Sequence, residues 1–268
     1  MREMTLDEVK RVQLEVLDAV MSFCKANGIN CWLNGGTLLG AVRHKGYIPW
    51  DDDIDLGMLR PDFDRFIATF NDDNPRYKLI CCENDPNTLF HYGKVIDTST
   101  YLYEVTEKSE KLGVNIDIFI CDNAPDNKTE QTRMFRKRDL YNVCNLGRRF
   151  PVFTKPLRGG LLRSLAVYAF RAVLRVFPRQ YFTKKLDENA KSYTGHDTGL
   201  VGNFTGIQRT VCKRSLFEKV TELEFEGKMY PAPVGYDEWL TELFGDYMTP
   251  PPPEKRASTH FFKAYELD

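Results

Sequence analysis

Four aspartates fall within five positions of the stretch IPWDDDIDLGM, residues 48–58, and the chain then runs straight into apolar residues. Carboxylates this close repel one another, and burying any of them is costly unless a counter-charge meets it. Side chains alternate along a strand, so Asp51, Asp53 and Asp55 share one face while Asp52, Ile54 and Leu56 share the other. With Ile54 and Leu56 directed into a core, Asp53 and Asp55 leave the sheet together. Two carboxylates so placed suit a hard divalent cation of the Mg²⁺ kind. An acidic surface turn after Pro49 is the plain alternative, but it gives no reason for four repelling charges to adjoin a hydrophobic strand.

The residues upstream, LNGGTLLGAVRHKG, add a second constraint. Gly35 and Gly36 let the backbone come close to a ligand. Thr37 then opens a helix whose unsatisfied N–H groups and positive end suit a phosphate. A strand, a Gly-Gly turn and a helix start, followed by an Asp-x-Asp strand, set an anion cradle beside a metal site. Arg43 and Lys45 lie between cradle and acidic strand, within reach of a diphosphate in sequence terms. Lys94, between Gly93 and Val95 of a strand-like run, is a further candidate phosphate contact. Other motifs fail on spacing. An EF-hand loop from Asp51 needs Gly and Glu where Leu56 and Asp62 stand, and a Walker A loop needs Lys-Ser/Thr where Ala41-Val42 follows Gly40. The Asp-x-Asp of a glycosyltransferase stays open, since two aspartates and a metal can grip any nucleotide diphosphate.

Around these motifs the pattern is α+β. Thr5-Leu6-Asp7-Glu8 has capping-box spacing, and apolar residues at helical intervals predict a helix over 6–26 stopped by Asn27-Gly28. A strand over 29–34, a helix from about Thr37, a strand over 53–58 and a helix over 61–70 follow. Strand-like runs cover 77–82, 90–96, 101–106 and 114–121, and helical patterns cover 128–146, 161–177 and 182–191. The last 75 residues alternate short elements with loops and end near a polyproline stretch at 250–253.

Seven cysteines without a C-x-x-C pair read as reduced thiols, and four histidines offer no zinc spacing. The N-terminus is too charged for a signal peptide, and the longest apolar run, LAVYAF, is far short of the ~17–25 residues of a membrane span. The expected location is therefore cytoplasmic, or peripheral at the inner face of a membrane. A net charge of −1 hides a segment, 148–185, that carries ten basic residues and no acidic one, leaving −11 elsewhere. On a helix over 161–177, Arg163, Arg171 and Arg175 share one arc and Leu162, Phe170, Val173, Leu174 and Phe177 take the other. Such a helix either lays its basic face on anionic lipid or packs its apolar face on the domain with the arginines in water. No interleaved aromatics or known module point to nucleic acid.

GGTLLGAVRHKGYIPWDDDIDL resembles the signature of the LicD family, which includes fukutin-like proteins, within the nucleotidyltransferase-fold superfamily. VNIDIFICDNAP, 114–125, and PVGYDEWLTELFGDYMTPPPPEKR, 233–256, agree with it, although members often carry proline where Ile120 stands. The resemblance implies a nucleotidyltransferase-like mixed sheet with flanking helices and a helical C-terminal part. Residues 1–125 would form the catalytic core, and 126–268 would complete the substrate site. It also implies that Asp53, Asp55 and Asp117 bind metal, two Mg²⁺ ions or Mn²⁺, with Asp51 in support. Gly35, Gly36 and Thr37 would hold phosphate oxygens, and Asp117 would also act on the acceptor hydroxyl.

The activity it implies is transfer of phosphocholine from CDP-choline to a hydroxyl of a cell-surface glycan or its lipid-linked precursor, as in teichoic acid or lipopolysaccharide synthesis. CDP-ribitol and CDP-glycerol are the related donors. A choline head group calls for an aromatic cage, for which Trp50 and Tyr236 are candidates, with Tyr47, Tyr92, Tyr101, Tyr103 and Trp239. The rival readings are a nucleotidyl- or glycosyltransferase consuming an NTP or nucleotide-sugar, and a metal- or glycan-binding module.

Overall fold

The computed structural model describes residues 1–104, 112–153, 160–206, 208–256 and 262–267. The end of the strand expected over 101–106, together with Lys155 and Arg158, lies outside these residues. The chain begins with β1 (Arg2–Glu3) and α1 (Leu6–Asn27). Thr5 Oγ1 accepts the Glu8 N–H at 3.3 Å and Glu8 Oε2 accepts the Thr5 N–H at 2.8 Å, while Gly28 at φ +61° ends the helix. Then come β2 (Trp32–Leu33), α2 (Gly35–His44), β3 (Asp55–Leu59), α3 (Arg60–Asp73), β4 (Tyr77–Ile80), β5 (Gly93–Asp97), β6 (Thr100–Glu104) and β7 (Asn115–Asn123). The second half holds α4 (Lys128–Arg149), α5 (Leu161–Leu174), α6 (Tyr181–Ala190), β8 (Leu200–Gly202), β9 (Val211–Lys213), β10 (Val220–Phe225), β11 (Lys228–Pro233), α7 (Tyr236–Phe244) and β12 (Phe262–Glu266). The organisation is α+β, with more strand in the C-terminal part than helical periodicity alone suggests.

The main sheet runs β2-β3-β7-β5-β4, with β8 paired to the far end of β7 and β9 to β8. β3 and β7 are parallel, and the other pairs are antiparallel. Ile54, Leu56 and Met58 are fully buried, each side chain contributing about 1.5–3 kcal/mol. That burial fixes the register, because a slip of one residue would turn the apolar set outward and the aspartates inward. On β7, Ile116, Ile118 and Ile120 are buried and Asp117 and Phe119 face the other way. Proline would interrupt such a ladder; with Ile120 in its place β7 continues to Asn123 and picks up β8.

The core does not stop at residue 125. Trp32 stacks on Phe217 at 5.1 Å, and Phe217 meets Trp239 edge-on at 5.2 Å. Arg60 at the start of α3 grips Asp122 of β7 through two bonds, 2.7 and 3.1 Å, and reaches Asp187 of α6 at 3.4 Å. The C-terminal elements are thereby fastened around the sheet that carries the acidic cluster.

Helix α5 turns in neither face whole: Leu174 of the apolar set and Arg171 of the basic set are buried, while Arg163 and Arg175 are exposed. Arg171 is buried and donates to the Pro151 carbonyl at 3.1 Å, and Arg175 donates to the carbonyls of Arg148 and Phe150 at 2.6 and 2.5 Å. These arginines satisfy the carbonyls that the end of α4 leaves unpaired. Leu162 and Val173 of the apolar set face outward.

Candidate active site

Asp55 on β3, Asp117 on β7 and Lys94 on β5 are register partners across three neighbouring strands. Residues so paired share one face of the sheet, on strands about 4.8 Å apart. Lys94 Nζ donates to Asp117 Oδ1 at 2.6 Å and to Asn115 Oδ1 at 3.0 Å, and it lies 4.9 and 5.3 Å from the ring centres of Phe90 and Tyr92. Lys94 is buried. Where a phosphate contact was expected, it serves as an internal counter-ion to Asp117.

Helix α2 starts at Gly35, two residues before the expected Thr37. Its first hydrogen bond runs from Leu38 N–H to the Asn34 carbonyl at 3.0 Å, so the N–H groups of Gly35, Gly36 and Thr37 lie outside the helical ladder. The Thr37 hydroxyl accepts the Asp55 N–H at 2.8 Å, tying the helix start to the acidic strand. A Cβ on Gly35, which sits at φ +52°, would lie 2.9 Å from Asp55 Oδ2, and one on Gly36 would lie 2.7 Å from Asp51 Oδ2. The two glycines therefore make room for carboxylates at the positive end of α2.

The aspartate loop is held from behind. Asp51 N–H closes a turn on the Ile48 carbonyl at 2.8 Å, and buried Gln13 of α1 donates to the Asp52 carbonyl at 2.9 Å. Tyr47 in turn donates its hydroxyl to Gln13 Oε1 at 2.9 Å. Asp52 is buried while Asp51, Asp53 and Asp55 are half-buried, so burial alternates as expected, but ahead of the strand the Asp52 carboxylate stays beside its neighbours and does not leave on the opposite face. Carboxylate oxygens of Asp51, Asp52 and Asp53 all lie within 4.8 Å of one another. Burial pushes the Asp55 carboxyl well above the usual carboxylate range, and Asp53, Asp117 and Asp51 push it further, against Lys94. A crowded set of hard oxygen donors, relieved in part by one ammonium, fits a divalent cation.

Gly35, Gly36, Asp53, Asp55 and Asp117 form part of the lining of a cleft of about 570 Å³. Another wall comes from α4, through Asn142, Asn145 and Arg149, and a further one from the loop between β8 and β9. Tyr92, stacked on Phe119 at 5.1 Å, joins Trp239 and Phe244 as aromatic lining. Trp239 donates Nε1–H to Asn34 Oδ1 at 2.9 Å, fixing its ring beside the helix start.

Six of the expected site residues lie outside this lining: Thr37 and Lys94, which act from behind it on Asp55 and Asp117, and four more that stand away from it. Arg43 donates to the Tyr247 carbonyl at 2.6 Å, and exposed Lys45 pairs with Glu224 at 3.1 Å. Both sit at the end of α2 opposite the glycines, roughly 12–15 Å along the helix. Trp50 lies edge-on to His44 with the Arg256 guanidinium over it, and Tyr236 packs on the main core.

Conversely, the cleft includes residues that sequence reasoning passed over. Arg149 was visible only as one charge of the basic segment. His91 makes a 2.5 Å contact through Nε2 with the Thr205 carbonyl, so Nε2 carries the proton and Nδ1 is an acceptor. That Nδ1 is buried without a hydrogen-bond partner among the described residues, and burial lowers the His91 pKa to about 4. The one local signal was the run FHYGKV itself; nothing in it announces Thr205.

A family model described as LicD/FKTN/FKRP, nucleotidyltransferase domain, matches residues 28–147. Over the full length of both chains, the sequence is 31% identical to the lipopolysaccharide cholinephosphotransferase LicD of Haemophilus influenzae. A stretch of 52 residues, 19% of this chain and 10% of the relative, is 46% identical to the ribitol 5-phosphate transferase FKRP of Mus musculus and of Homo sapiens.

Proposed function

The chain belongs to the LicD family, and on that premise we propose that it transfers phosphocholine from CDP-choline to a hydroxyl of a cell-surface glycan or its lipid-linked precursor. The observation that carries this reading is the row Asp55, Asp117 and Lys94, set beside the α2 N-terminus in a cleft with aromatic lining. Full-length similarity to a lipopolysaccharide cholinephosphotransferase supports phosphocholine as the group moved and a glycan as the acceptor.

Asp53, Asp55 and Asp117 would hold Mg²⁺, as a pair of ions or with Mn²⁺ in its place, supported by Asp51. When bound, the cation supplies a Lewis acid that draws charge from the diphosphate oxygens. The N–H groups of Gly35, Gly36 and Thr37 donate to phosphate oxygens at the positive end of α2. Arg149 offsets the diphosphate charge from the α4 side. Tyr92, Phe119, Trp239 and Phe244 face the quaternary ammonium. Lys94 holds Asp117 through Oδ1, and Asp117 Oδ2 takes the proton of the attacking hydroxyl. The oxygen of that hydroxyl bonds to the phosphorus bearing choline, the pyrophosphate P–O bond breaks, and CMP leaves.

The test is CMP release from CDP-choline in the presence of acceptor, compared between Mg²⁺, Mn²⁺ and EDTA, for wild type and Asp53→Asn. Release that needs metal and Asp53 is expected, with circular dichroism unchanged in the variant. Full activity in Asp53→Asn would remove the metal assignment. The local similarity to ribitol 5-phosphate transferases favours a second donor, CDP-ribitol. Ribitol carries no cation for the aromatic wall, so Tyr92→Leu should slow turnover of CDP-choline and spare that of CDP-ribitol.

A further inference from the structure

Helix α5 presents an apolar face to the outside of the molecule. At ~100° per residue, Leu162, Leu165, Ala166, Ala169, Val173 and, just past the helix, Val176 fall in one continuous arc. All six are exposed, Leu162 at 85% and Val176 at 84%. The polar residues Ser164 and Arg171 are buried on the opposite side. Helix α4, on which α5 packs, exposes apolar residues of its own. Leu146 is both exposed and part of the cleft lining, and Val143 and Leu140 step round that helix toward Gly147. There α5 packs, with Leu174 Cδ1 only 2.6 Å from where a Gly147 Cβ would stand.

We propose that this face docks on an anionic lipid bilayer. The apolar side chains enter the boundary between headgroups and acyl chains, and surrounding cations face the lipid phosphates. Charge complementarity selects this occupant. From residue 140 to residue 186 the sequence has ten lysines and arginines and no acidic residue; Arg149 lines the cleft and Arg171 is buried, while Arg163, Arg175, Arg179 and Lys184 are exposed. A second copy on the same face would oppose two such segments, whereas anionic headgroups attract one. At 14 residues α5 is about 21 Å long, and among the described residues no helix is long and apolar enough to cross a membrane. It therefore lies in the plane of the surface, with the cleft rim at Leu146 beside the lipid. This docking stands apart from the transfer chemistry, since it is measured without donor or acceptor.

The experiment is co-sedimentation of the full chain with vesicles of phosphatidylcholine, with and without a one-third share of phosphatidylglycerol. Wild type should sediment with the anionic vesicles. The triple variant Leu162→Glu/Val173→Glu/Val176→Glu should lose at least tenfold in partitioning with an unchanged circular dichroism spectrum. Met229→Glu, an exposed apolar site on β11, should bind as wild type does. Leu162→Trp should shift its emission to the blue on anionic vesicles. Wild type left in the supernatant, a triple variant that binds normally, or equal binding to neutral vesicles would overturn the proposal. So would self-association that the triple variant abolishes while vesicles go unbound, which would assign the face to a second copy.

Discussion

Replacing Lys94 with methionine keeps most of the side-chain volume against Phe90 and Tyr92 and removes the ammonium 2.6 Å from Asp117 Oδ1. Breaking a buried ion pair by deleting one partner costs about 3–5 kcal/mol, because the remaining charge is left uncompensated. The Lys94 side chain is 7% exposed and that of Asp117 17%, so partial solvation of the carboxylate lowers the expected loss to about 2–4 kcal/mol. For a chain of this size about 1 kcal/mol moves the melting temperature by roughly 2–4 °C. Thermal denaturation in EDTA at neutral pH should therefore show a drop of about 4–16 °C. Two further results follow from the same row of charges. Lys94→Met/Asp117→Asn should recover at least about 1 kcal/mol relative to Lys94→Met. Added Mg²⁺ should raise the melting temperature of Lys94→Met more than that of wild type, since a cation replaces the missing charge. A wild-type melting temperature in Lys94→Met, or a double variant no more stable than the single, would refute the counter-ion role.

Three other perturbations probe the surrounding site. Gly36→Ala places a methyl 2.7 Å from Asp51 Oδ2; kcat should fall on the order of a hundredfold as the carboxylate shifts, while the melting temperature changes little. Arg149→Gln should raise KM for the CDP-alcohol about tenfold with a smaller change in kcat, as read from initial rates of CMP release. His91 resists protonation in the native state down to a pKa of about 4, against 6.5 ordinarily. In that window the unfolded chain binds the extra proton, so stability falls as pH falls from 6.5 toward 4. His91→Gln, which retains a donor for the Thr205 carbonyl, should flatten that slope in urea titrations.

What was readable in the sequence is what short-range physics decides. The Thr5–Glu8 cap, the Gly28 stop and the alternation from Asp51 to Leu56 each depend on neighbours a few residues away, and the structure shows all of them. The facing of Asp53 and Asp55 away from the core followed from Ile54 and Leu56 alone. Long-range pairing was not readable. Lys94 became a counter-ion because β5 and β7 pair in a register that sets it opposite Asp117. Arg43 and Lys45 looked close to the site because they stand between cradle and strand in sequence, yet α2 carries them to its far end. Arg149, His91 and the loop that supplies Thr205 meet across the fold from distant stretches, and no local pattern joins them. The burial of Arg171 on α5 has the same origin, since the carbonyl it meets belongs to Pro151, just past the end of α4.

Phosphorus NMR of the purified protein with Mg²⁺ and a lipid-linked glycan acceptor, run in parallel with CDP-choline, CDP-glycerol, CDP-ribitol, UDP-glucose and CTP, reads out the group transferred. CMP and a new phosphodiester resonance are expected from CDP-choline, and neither signal with Asp53→Asn. Consumption of CTP or UDP-glucose in its place, or no donor consumed with an acceptor shown to be competent, would contradict phosphocholine transfer.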